Sequence, residues 1–173
     1  GKISTVEVLR NWVIVSISNF AGAVVLALLV IQSGHPDMNQ GAIKTQYLQI
    51  AELKCNLSFL NAFFSGILCN MLVCLAVWMA MAGRSVTDKV LAIVFPITAF
   101  VAAGFEHSVA NMYFIVMGIF LSTDPSQWNI TWSGFMSNMI PVILGNLVGG
   151  SVFVAITYYI IYRKGNVKKQ GME

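Results

Sequence analysis

Charge is what this sequence has least of. Only 10% of its 173 residues are Asp, Glu, Lys or Arg, where a soluble domain carries about a quarter. The few charges are also segregated, so that residues 12–31, 57–82 and 140–161 contain none. Each window is near or above the roughly 20 residues that cross a bilayer. A soluble globule has no core that could hide all three, which excludes a soluble enzyme and points to a polytopic membrane protein embedded in lipid. The net charge of +3 implies no nucleic-acid partner, because the basic residues sit at span ends and not on one face. Cysteine is scarce too. Cys55, Cys69 and Cys74 make neither a disulfide framework nor a C-x-x-C pattern and read as small apolar packing residues. There is no H-E-x-x-H, no G-x-S-x-G and no Walker pattern, and the nine methionines are scattered. No catalytic residue, metal or cofactor is therefore expected. The chain starts without Met, close to its first span and without a visible signal peptide, so a preceding N-terminal part is expected.

What is present is a series of apolar spans, expected at about 9–31, 57–82, 88–122 and 136–162 within one membrane domain, 1–173. The third is too long for one straight crossing. Thirty-five residues of helix measure about 52 Å, against a hydrocarbon core of about 30 Å. It also carries Pro96, Gly104 and a polar centre. The economical reading is two half-helices with an irregular link near 104–110, which survives at membrane depth only where protein or a water-filled cavity covers it.

Basic residues set the orientation. With the N-terminus inside, the inner segments hold Lys2, Arg10, Arg84, Lys89, Arg163, Lys164, Lys168 and Lys169, and the outer ones only Lys44 and Lys54. The C-terminus is thus expected in the cytoplasm and the protein in the cytoplasmic membrane. Between the first two spans, "SGHPDMNQ" reads as a turn, with His35 a solvated loop residue. "GAIKTQYLQIAELK" reads as a short amphipathic helix on the outer surface, presenting Ile43, Tyr47, Ile50 and Leu53. "NFAGA" at 19–23 and "NLVGG" at 146–150 share N-x-x-G-[AG] in spans of opposite direction, as an inverted repeat would. Asn19 and Asn146 are then expected to hydrogen-bond across helices.

The stretch "GFEHSVANM", Gly104–Met112, puts a carboxylate and an imidazole in one of the most apolar parts of the chain. Ionisable residues inside a membrane are costly and mark function by default. His107 is the leading candidate, with Glu106 orienting its ring or pairing with backbone N–H groups, and Ser108 and Asn111 in the same link. Asn70, in mid-span, needs a partner or a lined cavity. Lys54 stands just before the second span. The competing class is an intramembrane hydrolase, which needs a nucleophile facing His107; Ser65, Ser108 and Ser151 are the serines available.

These residues carry a resemblance. "GFEHSVANM", with "FPITAFVAA" before it and "GIF" after it, resembles the fifth-helix signature of the formate/nitrite transporter family. "GILCNMLVCLAVWMA" with "GRSVTDK", "IPVILGNLVGG" and "NWVIVSISNFAGA" resemble its fourth, sixth and third helices. The family's first two spans have no counterpart here, nor does the polar loop that supplies a threonine opposite the histidine. The resemblance implies an all-α integral membrane fold, an aquaporin-like inverted-repeat bundle with a broken fifth helix. It implies a homopentamer that passes small monovalent anions or their acids, among them formate, nitrite and hydrosulfide. Carried over by motif, His107 is the central pore histidine and Asn111 follows it. Phe100 belongs to the hydrophobic constriction, Asn70 and Val73 line the pore side of the fourth helix, Lys54 precedes that helix, and Asn146 belongs to G-N-x-x-G-G. The motifs lean to the formate-channel and hydrosulfide-channel side.

Overall fold

A computed structural model describes residues 3–124 and 126–162. The basic cluster from Arg163 to Lys169, which weighs in the expected orientation, lies outside the described residues, as does Lys2. The described residues are helical, with no strand among them. The helices are α1 (Thr5–Gln32), α2 (Ala42–Cys55), α3 (Phe59–Ala82), α4 (Val86–Ala102), α5 (Ser108–Leu121) and α6 (Trp132–Val148). α6 runs on as a π-helical stretch, Gly149–Ile156, and helical backbone continues to Tyr162. Among the described residues, three helices are long and apolar enough to cross a membrane: Thr5–Gln32, Phe59–Ala82 and Trp132–Tyr162.

The chain divides into two compact units. The first comprises 1–58 and 108–139: α1, α2, α5 and the start of α6. Its core is Leu48, Ala51, Ile115, Val116, Met117 and Met139, with Ala23 and Ala27 from α1. The approach of α2 to α5 is close: a Cβ on Gly118 would collide with the Ala51 side chain. This alters the expected packing of α2. Its buried face is Leu48, Ala51 and Cys55, while Leu53 is 71% exposed. Small residues bury because glycines let the backbones approach; periodicity of large apolar residues alone points to a neighbouring face. The turn before α2 also differs from the expectation. Gly34 is left-handed and His35–Asp37 form a 3₁₀ turn around a buried Pro36. His35 is half-buried, not solvated, with its Nδ1 shielded and its ring 6.1 Å from that of Tyr47.

The second unit comprises 59–107 and 140–173, described to 162. Here α3 packs on α4 and on the π-helical stretch. α6 crosses α3 at backbone contact distance: a Cβ on Gly145 would overlap the Phe63 carbonyl, and one on Gly149 the Ile67 carbonyl. The N-terminus of α4 is closed by a capping box. Ser85 Oγ accepts from the Asp88 N–H at 3.1 Å and the Asp88 carboxylate accepts from the Ser85 N–H at 3.0 Å, satisfying donors that helix starts leave open.

Candidate functional site

The break between α4 and α5 is built by Gly104. At φ +69° it takes the left-handed conformation that glycine adopts without penalty. Its N–H donates to Val101 C=O at 3.1 Å and the Phe105 N–H donates to Phe100 C=O at 3.0 Å. This paired closure of a helix end turns the chain out of α4. Only Phe105, Glu106 and His107 are then free of helix or turn before α5 begins at Ser108. The irregular link is therefore shorter than expected. Ser108 and Asn111 belong to the first turns of α5 and not to the link, because the glycine closure has already redirected the chain by residue 105.

The second unit gathers one set of polar groups around that link. The Glu106 N–H donates to Ser65 Oγ at 3.1 Å, and the Glu106 C=O accepts from Asn146 Nδ2 at 3.0 Å. The same Nδ2 donates to Gly66 C=O at 2.8 Å, a carbonyl on α3. The Asn146 C=O in turn accepts from Asn70 Nδ2 at 2.5 Å. Glu106 is 3% exposed. So the backbone on either side of Glu106 is pinned, one end to α3 and the other to α6. His107, the next residue, is half-buried, with its ring stacked 5.8 Å from Phe100 at an interplanar angle of 24°. Asn70 and Asn146 thus serve here as donors to backbone carbonyls. Val73 is half-buried further along α3. Ser151 Oγ donates to the Leu147 C=O of its own helix.

The first unit holds a second set. Asn111 is fully buried and donates through Nδ2 to Asn138 Oδ1 at 2.7 Å. Asn138 Nδ2 donates to Lys54 C=O at 2.9 Å. Lys54, in the last turn of α2, is half-buried. Nearby, Tyr47 and Tyr113 share a hydroxyl contact of 3.3 Å. Asn19 lies half-buried on α1. Two surface cavities, of about 280 and 220 Å³, contain none of the expected site residues; Lys44 and Trp128 help line the second.

Sequence reasoning missed Ser65 as a backbone anchor and missed Asn138 altogether. Both are uncharged polar residues in apolar helices. The available signal was that such a side chain must find a hydrogen-bonding partner. None of the three cysteines is in a disulfide; Cys55 and Cys69 are buried and Cys74 half-buried.

The profile of the family described as "Formate/nitrite transporter" matches residues 1–160. The chain is similar to the formate channel FocA of Escherichia coli K12, with 39% identity over 96% of this chain and 63% of that protein. It is also similar to a probable formate transporter of Methanothermobacter thermautotrophicus, with 42% identity over 94% of this chain and 62% of that protein. The chain thus spans just under two thirds of the length of these relatives. Among solved structures, it resembles a pentameric formate channel with formate bound, at a TM-score of 0.87 and 38% identity, covering 94% of this chain and 69% of that one.

Proposed function

The chain belongs to the formate/nitrite transporter family, and on that footing we propose that the whole protein is a membrane channel for small monovalent weak-acid anions. Formate is the first candidate, because relatives of this chain are named for it. Nitrite and hydrosulfide are the neighbouring chemistries. The solute is passed and not transformed, and the working unit is a homopentamer, as in the pentameric channel this chain resembles. The C-terminus is cytoplasmic.

The observation that carries the reading is the pinned link. A histidine follows a residue whose backbone N–H and C=O are both held, by Ser65 and Asn146, and it stacks on an apolar ring. A bare anion entering an apolar slit meets a Born penalty of order 20 kcal/mol in the idealised limit, which a neutral acid escapes. Lys54 lowers the cost of approach for the anion. His107 then hydrogen-bonds the anion or helps move a proton onto it, since small changes of surroundings carry an imidazole across its charge change near neutral pH. Phe100 forms the apolar constriction beside it. Asn70 and Val73 complete the lining; Asn111, which is fully buried, supports it from behind together with Glu106, Ser108, Asn146 and Asn19.

The test is flux. Proteoliposomes holding the full-length protein should change internal pH or swell when formate, nitrite or hydrosulfide is added, and the ranking of the three gives the selectivity. Absence of flux for all three would overturn the proposal.

A further inference from the structure

Asn138 has no role in the passage just described, yet it is the residue through which Lys54 and Asn111 are joined. Its side chain is 1% exposed. Oδ1 accepts from Asn111 Nδ2 at 2.7 Å and Nδ2 donates to Lys54 C=O at 2.9 Å. The amide is used as acceptor and donor at once, which fixes its orientation. A flip would set N–H against N–H on one side and oxygen against oxygen on the other.

What it holds is a helix end. The last carbonyls of an α-helix have no partner within the helix; that of Lys54, in the last turn of α2, accepts from the Leu57 N–H just beyond the helix at 3.4 Å as well as from Asn138 Nδ2. The same turn is docked at further points. Glu52 Oε1 accepts from the Asn129 N–H at 2.9 Å and Asn56 Oδ1 accepts from Asn129 Nδ2 at 2.9 Å. A Cβ on Gly134 would come within 2.9 Å of Cys55 Cβ. These contacts tie the turn to the segment leading into α6 and to the first turn of α6 itself. The Asn138 contact continues past α6, to Asn111 on α5, four residues after His107.

We propose that Asn138 is a positioning residue for anion passage: held in place by the buried Asn111 amide, it fixes the turn that carries Lys54, so that the cation stands where the anion approaches. The proposal rests on the channel reading above and deepens it. Its signature is that Asn138 acts through Lys54 and not through stability.

The experiment uses full-length protein in proteoliposomes, with formate as the probe. Flux is measured against formate concentration for the wild type, Asn138→Leu, Lys54→Met and the double variant, each checked for intact assembly. Asn138→Leu keeps the volume and removes both hydrogen bonds. It should raise the half-saturating formate concentration by about five- to tenfold, and this effect should vanish in the Lys54→Met background, because residues in one network couple. Asn138→Asp keeps the acceptor for Asn111 but sets an oxygen against the Lys54 carbonyl; it should act in the same direction and carries the test if the leucine variant does not assemble. An unchanged half-saturation, an equal effect with and without Lys54, or failure of both variants to assemble would overturn the positioning role alone. Wild-type protein that passes none of the three anions would overturn the channel reading, and this proposal with it.

Discussion

The side-chain amide of Asn146 holds the backbone carbonyl of Glu106 at 3.0 Å, across 40 residues of chain. The same nitrogen serves Gly66 C=O, so one side chain anchors both α3 and the residue before His107. Asn146→Ala strips a donor from two carbonyls, and unsatisfied buried groups cost about 1–3 kcal/mol each. The expected outcome is a lower thermal midpoint of the full-length protein in detergent. Asn146→Asp, with the same shape and no N–H, should fall comparably. A midpoint unmoved by the aspartate would show that the two bonds contribute nothing.

The turn out of α4 makes a separate prediction. Apart from Gly104 itself and its two chain neighbours, nothing lies within 4 Å of a Cβ built on it, but its φ of +69° is left-handed. Gly104→Ala is therefore opposed by conformation and not by a clash, at about 1–2 kcal/mol. Gly104→Asn should cost less, because asparagine tolerates this region. Thermal midpoints of the two variants, measured side by side, check the order; alanine equal to wild type would contradict it.

His107 and Phe100 are stacked yet are expected to do different work. His107→Asn keeps hydrogen bonding and removes titration, so flux should lose its pH dependence near neutrality while assembly stays intact. Phe100→Ala should widen the passage and relax discrimination among the three anions, leaving the pH profile in place. If the asparagine variant assembles and keeps the wild-type pH profile, the histidine is a bystander.

Orientation can be checked independently of transport. Tags at residue 38 and residue 128 should be accessible from outside, and one in the loop 83–88 from inside. An inside signal from residue 128 would overturn the charge-based orientation.

Much of the architecture was legible because membrane helices announce themselves by what they exclude. The charge-free windows coincide, to within two residues, with α1, α3 and the long last helix, and the all-helical, aquaporin-like fold follows from the motifs that carry the family resemblance and agrees with the solved structure this chain resembles. Gly104 was readable as a break because glycine, proline and a polar cluster coincide there. The extent of the break was not. E-H-S-V-A-N is polar enough to read as loop, but the capped turn at Gly104 finishes the redirection early and lets Ser108–Asn111 wind into α5. The buried face of α2 was misplaced for a different reason: Ala51 and Cys55 are buried by glycines on other segments, Gly118 and Gly134, and no local pattern records a distant glycine. Ser65 and Asn138 escaped notice because attention went to ionisable groups, while the hydrogen bonds that fix the backbone come from neutral ones.

The π-helical stretch after Asn146 has a consequence for alignment along α3. Gly66 meets Asn146, Asn70 lies against Gly150 and the ring of Trp78 lies 4.1 Å from that of Tyr158, tilted by 39°. Each partner is the same number of residues further along the chain, so the two helices run side by side like the halves of a zip, in one direction. A π turn takes in one residue more than an α turn, so this stretch can give up a residue by tightening a π turn into an α turn. Losing one residue between Gly149 and Ile156 would then leave the amide end of the zip closed and keep Tyr158 and Tyr162 facing Trp78, whereas a residue lost from the α-helical part before it, at about 100° of rotation per residue, would swing them away. The π-helical stretch is where the distance between a polar fastening and an aromatic one tolerates a change of length.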